Sequence, residues 1–397
     1  MQAFSFEGKG FEYFKIWIVN ILLTIVTVGL YYPWAKVRTN RYFYANSTLE
    51  GRNFEYHATG KQLFIGYLIS MVLLIVYVTV QNISPTGSVI LLLVFLAAFP
   101  WIIWRSLKFN MRVSSFSNVR FGFEGKLGGA YFIFMLLPVL TFLAIYAVPI
   151  AFIFVFPLLG VSPGGIGSIL FFALAIAGFA LAVYMFGVMK KKSYSYTING
   201  SRYGQGKFAT DLAVGPFVGI LFKTIGLSIL IVIVYIVVIA ILGFVVGTSD
   251  QLLQVSRNLS DPEVIGSLFH NPAIIVMLIL VYAGFLVISL AGFAYSTSRQ
   301  RAYVYDNTRL DGEIAFKSTV GARQLAWVSI TNLLVIMLTV GLATPWAAVR
   351  MARLYMENTQ TDTSIGFDSY ITQKQKEQSS LGEQIGDAFD VEVGVGF

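Results

Sequence analysis

The stretch Ile169–Val188, ILFFALAIAGFALAVYMFGV, contains twenty residues and no charged side chain. A helix rises about 1.5 Å per residue, so roughly twenty apolar residues cross the hydrocarbon core of a bilayer. The chain of 397 residues has the same character throughout, with 56% hydrophobic and only 12% charged residues. A soluble domain carries roughly 25% charged residues. The sequence therefore predicts an all-α polytopic membrane protein.

Other apolar stretches extend this prediction in both directions along the chain. They are Ile16–Ala35, Leu63–Val80, Val89–Trp104, Tyr131–Leu159, Val214–Val246, Ala273–Ala294 and Leu325–Val349. The short turn Gln81–Ser88, the Gly/Pro turn Gly160–Gly165 and the longer polar loop Gly247–Pro272 join the central stretches in pairs. We expect six transmembrane helices in three hairpins, with one further apolar stretch near each end of the chain.

Lys and Arg are concentrated in the polar segments 36–62, 105–128, 190–212 and 297–324, which hold five basic residues each. The three turns hold one basic residue, Arg257. The positive-inside rule places the four basic segments in the cytoplasm and the turns outside. The net charge of +8 is then a mark of topology rather than of nucleic-acid binding. We expect contacts with membrane lipids and none with nucleic acid; the sequence does not indicate protein partners.

Residues used in common catalytic and metal sites are scarce. The chain has no cysteine, and its two histidines, His57 and His270, are far apart in sequence. Thiolate chemistry and Cys-ligated metals are excluded, and a histidine metal cluster is not expected. No Ser/His/Asp order and no phosphate-binding loop stands out. We therefore expect neither a cofactor nor a metal, and no enzymatic activity.

An internal repeat relates residues 14–58 to residues 326–361 without gaps. Matching pieces are Thr27-Val28-Gly29-Leu30 with Thr339-Val340-Gly341-Leu342, and Pro33-Trp34-Ala35 with Pro345-Trp346-Ala347. So many ungapped matches predict one structural unit used twice.

A second repeat runs through the basic segments. Tyr44-x-Asn46-Ser47-x-Leu49-Glu50-Gly51 recurs as Tyr305-x-Asn307-Thr308-x-Leu310-Asp311-Gly312, which is typical of a tight turn between short strands. Alternating aromatics at Phe4-x-Phe6, Phe54-x-Tyr56 and Phe121-x-Phe123 precede a glycine, which predicts a short strand and a break before a helix.

These repeats bear on the single apolar stretches 14–36 and 325–349. If Phe4 and the segment around Arg350 share the cytoplasmic location of their copies, each stretch enters and leaves on one side as a re-entrant unit. Gly and Pro in both stretches can break a helix. A bent backbone at membrane depth must be buried in protein or line a cavity, so the two units would face each other or the central bundle. The alternative is that both stretches span the membrane.

The first repeat and its flanks carry a resemblance to a known family. The residues are Phe6-Glu7-Gly8, Trp17 through Tyr31, Trp34 through Arg38, Arg41-Tyr42-Phe43-Tyr44 and Leu49-Glu50-Gly51, with Leu381 through Val391 near the end. Together they resemble the YjgN-like family of bacterial inner-membrane proteins of unknown function. Ala45-Asn46-Ser47 departs from the expected Gly-Asn-Thr, and the Leu-Asp/Glu-Gly ending is absent after Asn358. The resemblance implies an inner-membrane location and supplies no mechanism.

Candidate site residues fall in two groups. Within the apolar stretches, Asn20, Asn332 and Lys223 are polar, and either surround a substrate or bond neighbouring helices; Lys223 can also extend to the interface. At the membrane boundary, cations stand beside indoles and either anchor the protein as an aromatic belt or hold a lipid phosphate. The residues are Trp34, Lys36, Arg38, Arg41, Trp101, Arg105, Trp346, Arg350 and Arg353.

The domain organisation predicted from these patterns is one integral membrane domain, residues 1–360, and a polar, acidic cytoplasmic tail, residues 361–397. The tail is either solvated or docked on the basic layer through Leu381, Ile385 and Phe389. The paired apolar units favour a transporter or channel for a small solute or lipid. The alternative is a scaffold that binds partners through its cytoplasmic layer.

Overall fold

The computed structural model describes residues 1–150, 154, 165–245, 272–362, 366 and 368–377, and helices dominate it. The helices are α1 Gly10–Val26, α2 Tyr32–Ala45, α3 Gly60–Ile83, α4 Pro85–Arg112, α5 Leu127–Tyr131, α6 Leu137–Ile150, α7 Ile166–Gly200, α8 Val214–Val245, α9 Pro272–Asp306, α10 Ala322–Leu338 and α11 Thr344–Glu357. A π-helical turn, Phe132–Leu136, joins α5 to α6. A final helical segment, residues 368–377, is called the tail helix below.

Six helical segments in the described ranges are long and apolar enough to cross a membrane. They are Gly60–Ile83, Pro85–Arg112, Leu127–Ala147, Gly167–Gly200, Val214–Val245 and Ile274–Asp306. The third segment has 21 residues and the others have at least 24. At about 1.5 Å per residue, every one of them is longer than the hydrocarbon thickness of about 30 Å. These helices fit a polytopic integral membrane protein.

The turn between α3 and α4 is short, since only Ser84 separates the two helices. Its hydroxyl caps α4 by accepting a hydrogen bond from the Gly87 amide at 3.1 Å. The predicted turn Gly160–Gly165 lies outside the described residues except at Gly165, and Gly247–Pro272 does so except at Pro272. His270, Arg257 and the tail residues from Leu381 onward also lie outside them.

The chain divides into two compact units. One comprises Met1–Val218, Ala302–Thr319 and Gly341–Phe397, and the other comprises Gly219–Arg301 and Val320–Val340. All the strands described below belong to the first unit. Its membrane-length helices are α3, α4 and α7, together with the segment from α5 to α6.

Eleven short strands in the described residues form one antiparallel sheet. They are β1 Gln2–Ala3, β2 Ser5–Phe6, β3 Ser47–Leu49, β4 Arg52–Tyr56, β5 Ser114–Phe116, β6 Val119–Phe123, β7 Ser201–Tyr203, β8 Gly206–Thr210, β9 Thr308–Leu310, β10 Ile314–Ser318 and β11 Thr359–Thr361. The sequence predicts separate strand–turn segments, whereas the structure joins them into one sheet.

The sheet closes on itself through the N-terminal residues. The two ends of the strand order are β1 and β2, which are separated in the chain only by Phe4. β1 pairs with β11, and β2 pairs with β3. Residues 2–6 thus pair with the two strands that would otherwise be the edges of the sheet. No edge of these strands is left open to pairing with another chain. We call this closed sheet the strand ring.

Five strand hairpins make up the strand ring: β3–β4, β5–β6, β7–β8, β9–β10, and a fifth assembled from β11 and residues 2–6. The register where neighbouring hairpins meet is the same five times. The Cα partners are Phe6 with Ser47, Tyr56 with Ser114, Phe123 with Ser201, Thr210 with Thr308, and Ser318 with Thr359. Each helical segment between two hairpins therefore begins and ends at one edge of the ring.

The first residue of the strand that follows each returning helix carries a hydroxyl that caps the helix end. Each hydroxyl donates a hydrogen bond of 2.6–2.8 Å to the carbonyl four residues earlier. The donors are Ser47, Ser114, Ser201, Thr308 and Thr359. This bond satisfies a carbonyl that the helix end leaves without a partner, and it recurs at all five helix-to-strand junctions.

The hairpin turns explain the Leu-Glu-Gly and Leu-Asp-Gly motifs. Glu50 and Gly51 have φ of 52° and 73°, and Asp311 and Gly312 have φ of 51° and 78°. Two successive residues with positive φ give the turn whose twist matches that of the flanking strands, and Gly adopts this conformation without strain.

The two related terminal stretches have the same secondary structure. α1 and α10 each contain 17 residues, and α2 and α11 each contain 14. Val28 and Gly29 follow α1 with φ of 49° and 88°, while Val340 and Gly341 follow α10 with φ of 51° and 90°.

Candidate functional site at the strand ring

Each strand hairpin contributes one phenylalanine; four lie at the middle of the second strand of their hairpin, and Phe4 lies between β1 and β2. These residues, Phe4, Phe54, Phe121, Phe208 and Phe316, are named the aromatic tier. Phe4 lies 6.0 Å from Phe54, and Phe208 lies 5.9 Å from Phe316, between ring centroids. All five are partly buried and pack against one apolar cluster, so they share one face of the sheet.

That apolar cluster draws on four hairpins and on the tail helix. Its members are Leu49, Phe116, Val119, Tyr203, Leu310, Ile314 and Ile371, all at most 4% exposed. Residues of one face can converge in this way only if the sheet curves around them. The aromatic tier and the apolar cluster therefore line the inside of the strand ring. The Tyr203 hydroxyl donates to the Phe116 carbonyl at 3.0 Å, which ties the third hairpin to the second.

The tail helix lies across the hairpin turns. Ile371 is 1% exposed within the apolar cluster. The Arg52 guanidinium lies 2.7 Å from the Asp368 carboxylate, and the Gln375 amide donates to the Ser117 carbonyl at 2.6 Å. The sequence predicts docking through Leu381 and residues beyond it, but the described contact is made by residues 368–377.

Lys374 is the charged centre of this contact. Its ammonium lies 3.2 Å from a carboxylate oxygen of Asp311 and 3.2 Å from one of Glu377, and its side chain is only 9% exposed. The Tyr370 hydroxyl donates to the same Asp311 oxygen at 2.9 Å. The Lys207 amide also donates to Asp311, at 2.6 Å. Buried charge is thus paired and hydrogen-bonded, as a low-dielectric site requires.

The pKa values of Asp311 and Lys374 follow from these partners. Burial raises the pKa of the Asp311 carboxyl, but hydrogen bonds from Lys207, Tyr370 and Lys374 outweigh burial and hold it below its usual value. Burial lowers the pKa of the Lys374 ammonium, but Asp311 and Glu377 outweigh burial and raise it. Burial, followed by the bond to Asp311, raises the pKa of Tyr370, which stays a neutral donor.

These shifts predict how docking of the tail helix depends on pH. The lowered pKa of Asp311 gives a contribution that is complete above the ordinary carboxyl pKa of about 3.9 and is lost at lower pH. The raised pKa of Lys374 gives a contribution that is complete below about 10.4 and is lost at higher pH. Docking, measured by hydrogen exchange of residues 368–377, should be constant from about pH 5 to 9. In the Asp311→Asn protein, docking should no longer weaken as the pH falls through the acid range. Docking that weakens as in the unaltered chain would show that Asp311 is not the titrating group.

The three predicted intramembrane polar residues lie on three different helices. Asn20 is 5% exposed on α1, and its amide nitrogen donates to the Ala35 carbonyl of α2 at 3.3 Å. The carboxamide oxygen of Asn20 has no partner among the described residues. Asn332 is 8% exposed on α10, and Lys223 is exposed on α8. Asn20 therefore joins two successive helices, α1 and α2, by a hydrogen bond.

Two of the predicted boundary arginines, Arg41 and Arg353, hold backbone carbonyls. Arg41 donates to the Ala58 carbonyl at 2.9 Å, and Arg353 donates to the Gly8 carbonyl at 3.0 Å. Each carbonyl lies in the linker between a strand and the next helix, so these equivalent arginines fasten equivalent linkers. Arg38 donates to the Tyr31 hydroxyl at 3.2 Å. Lys36 and Arg350 are exposed.

The predicted tryptophans lie beside helix starts or beside cations. An added Cβ at Gly60 would meet Trp34 at 2.2 Å, and one at Gly10 would meet Trp346 at 2.2 Å. Glycine at these positions therefore allows each indole to cover the first turn of a helix. Arg105 lies over Trp101 at 5.4 Å, which is a cation–π distance.

Ser115, His57 and Glu55 meet on the first and second hairpins, a grouping that the sequence order does not suggest. His57 Nε2 lies 2.7 Å from the Ser115 hydroxyl and 3.3 Å from Glu55. A nucleophilic triad needs the carboxylate on the opposite imidazole nitrogen, and it needs an accessible serine. Here Glu55 shares Nε2, and Ser115 is 1% exposed. Within the described ranges, no group of three His, Cys, Asp or Glu residues could hold a metal ion.

Sequence reasoning missed three parts of the ring. It did not relate Phe208 to the other phenylalanines, although Gly204 and Gly206 precede it as turn glycines. It did not pair residues 2–6 with residues 359–361, which are more than 350 positions apart. It also missed Tyr370, Ile371 and Lys374, whose spacing places them on one side of a helix.

Six membrane-length apolar helices among the described residues, together with the strand ring, define an integral membrane protein of the polytopic helical class. The chain belongs to the family described as bacterial protein of unknown function (DUF898), which matches residues 1–388.

Named relatives agree with this class. The chain is similar to inner membrane protein YjgN of Salmonella typhimurium, with 28% identity over 89% of this chain and 87% of the relative. It is 26% identical to inner membrane protein YjgN of Escherichia coli O157:H7 over 90% of this chain and 88% of that protein. A 140-residue match to the Escherichia coli K12 protein is 34% identical and covers 35% of each chain. No solved structure matches the chain.

Proposed function

We propose that this protein is a gated conduit, a transporter or channel, for a small solute in the bacterial inner membrane. The strand ring is its constriction on the cytoplasmic side. The observation that carries the proposal is the aromatic tier, in which all five strand hairpins place a phenylalanine on the inner face. We further propose that the protein is not an enzyme.

The register of the strand ring supports a single-sided location. Since each helical segment begins and ends at one ring edge, an even number of crossings lies between consecutive hairpins. The basic segments include the ring strands β3 to β10, and the positive-inside rule then favours the cytoplasm. Residues 2–6 and 359–361 belong to the same ring, so both ends of the described chain would be cytoplasmic.

Helix length supports re-entrant terminal units. α1 and α10, with 17 residues each, are about 25 Å long, which is less than the hydrocarbon thickness of about 30 Å. α1 packs against both α2 and α11, and Phe14 of α1 lies 5.1 Å from Trp346 of α11. Bent backbone at membrane depth is tolerated when protein or a cavity surrounds it. The buried Asn20, whose carboxamide oxygen has no partner among the described residues, would face that protected region.

The chemistry of the inner face supports gating. An apolar constriction excludes water and ions when it is narrow, and conducts when it widens. The aromatic tier is only partly buried, so some ring surface is open on its unpacked side. The proposed conduit is therefore closed by apolar side chains rather than by a charge.

The test is flux through liposomes that contain the purified full-length protein. The panel is potassium, phosphate, glycerol, glutamate and a fluorescent phospholipid for scrambling. The Phe208→Ala, Phe316→Ala protein should pass at least one solute about tenfold faster, which corresponds to a barrier lower by about 1.4 kcal/mol. The matched control is Lys207→Ala, Lys317→Ala, which changes the exposed neighbours on the opposite face. Absence of flux of every solute through all these proteins would defeat the conduit, and scrambling alone would reassign it to lipid.

A scaffold is the second candidate function, and the docked tail helix favours it. The turn edge of the ring already binds one helix of this chain, with Ile371 in the apolar cluster, so this surface is suited to helix recognition. Purification from native membranes after crosslinking discriminates the two functions. A stoichiometric protein partner on the ring, without solute flux, would support the scaffold.

Lipid-headgroup binding at the cation–indole boundary is a further part of the proposal. Trp101 and Arg105, Lys36 beside Trp34, and Arg350 near Trp346 are exposed. Arg41 and Arg353 already donate to backbone carbonyls, so the exposed Lys36 and Arg105 are the better substitutions for testing phosphate binding.

A further inference from the structure

We propose that the tail helix is a removable plug for the mouth of the strand ring. This inference rests on the proposed conduit and assigns its regulation. The tail helix contacts the turn region of four hairpins, through Arg52, Ser117, Gly204 and Asp311. These turns form the ring edge opposite the one where the membrane helices attach, so the helix covers the cytoplasmic opening.

The contact between the tail helix and the strand ring has an apolar centre with charged residues around it. Ile371 enters the apolar cluster, and the Tyr370 ring lies 6.5 Å from the Tyr203 ring in a stacked arrangement. Lys374 pairs with Asp311 beside them. Asp311 of the fourth hairpin also accepts a hydrogen bond from the Lys207 backbone amide of the third hairpin. The contact of the plug with Asp311 therefore involves two neighbouring hairpins.

The plug is removable because few of its side chains are fully buried. Among residues 368–377, only Ile371 and Lys374 are buried. The Arg52–Asp368 pair is 36% and 77% exposed, and salt screens such a pair. A contact of this kind leaves an undocked fraction of roughly 0.1–10%, which mass action can shift.

The absence of cysteine makes this plug directly testable. A Cβ added at Gly204 would lie 3.7 Å from the Lys374 Cβ, which is within the range for a disulfide. Because φ at Gly204 is 56°, a side chain there is strained, and the stability of the Gly204→Cys protein is measured alongside. In the full-length Gly204→Cys, Lys374→Cys protein, only the two introduced thiols can pair. Oxidation should lock the helix on the ring. The control is Gly204→Cys, Thr372→Cys, because Thr372 is exposed and should not reach the ring.

Flux of the same panel is then measured on one preparation before and after reduction. The oxidised protein should show at least about tenfold less flux than the reduced protein. The disulfide holds the helix on the ring, whereas reduction lets the undocked, open state form. Two further proteins should match the reduced form: a chain ending at Asp362, and the full-length Ile371→Asp protein. The Thr372→Asp protein should behave as the unaltered chain does.

The failures are distinguishable. Equal flux before and after reduction, with the disulfide formed, would overturn the plug and leave the conduit intact. No flux through the chain ending at Asp362 would overturn the conduit and the plug with it. Two reactive thiols that fail to pair, in a protein that unfolds at the temperature of the unaltered chain and whose residues 368–377 are as protected from hydrogen exchange as in that chain, would overturn the docked geometry.

Discussion

A protein that lacks residues 2–7 is expected to lose the strand ring and to aggregate during purification. Residues 2–6 pair with β11 on one side and β3 on the other, so their removal leaves two unpaired edges. It also removes Phe6, which is 4% exposed against Tyr13 and Val349, and such a deletion alone costs about 3–5 kcal/mol. With the lost strand pairing added, the total reaches most of the 5–15 kcal/mol that stabilises an ordinary domain. Size exclusion and thermal unfolding in detergent measure the result.

Two companion experiments separate the causes of that loss. The Phe6→Ala protein keeps the backbone pairing and should show only part of the destabilisation. A synthetic peptide of residues 1–8 supplied in trans should restore monodispersity, because an extended peptide can add a strand between open edges. A truncated protein that unfolds at the temperature of the intact chain would show that the ring does not depend on these residues.

Replacement of Tyr203 by Ala is expected to destabilise the ring by about 3–5 kcal/mol, the range for deletion of a large buried aromatic side chain. Tyr203 is 4% exposed, and its ring contacts Phe121 at 5.3 Å and Phe116 at 6.3 Å. Its removal opens a cavity at the centre of the apolar cluster. It also removes the surface on which Tyr370 stacks, so protease should release the tail more rapidly.

The Tyr203→Phe protein is the matched control, since it keeps the ring and removes only the hydroxyl. The Phe116 carbonyl then loses a donor at 3.0 Å, which should cost about 1 kcal/mol. Burial raises the pKa of Tyr203, so this hydroxyl remains protonated and no pH dependence is expected from it in the neutral range. Equal stability of the Ala and Phe proteins would show that the cluster is not packed around this ring.

The strand–turn motif that recurs in the basic segments is the feature for which the sequence predicts the most structural detail. The motif around Asn46 and Asn307 predicts turns between short strands, and strands occupy Ser47–Tyr56 and Thr308–Ser318 on both sides of such turns. Local chemistry is sufficient there, because a two-residue turn needs Gly at positive φ and flanking residues that favour strands. The same reasoning could not foresee the hydroxyl contacts of Ser114 and Ser201, since the residues before them, Val113 and Gly200, do not repeat the Asn.

By itself the sequence determined the membrane class, the six long apolar helices and the basic segments between them. These features follow from composition and periodicity, which act within about twenty residues of chain. Only the tertiary structure decided that the strand segments close into one ring, that residues 2–6 complete it, and that Lys374 reaches Asp311. Pairing between strands depends on backbone hydrogen bonds, which leave little trace in residue identity, and on partners up to 359 positions apart, such as Gln2 and Thr361. The ring is therefore a property of the folded chain rather than of any one of its motifs.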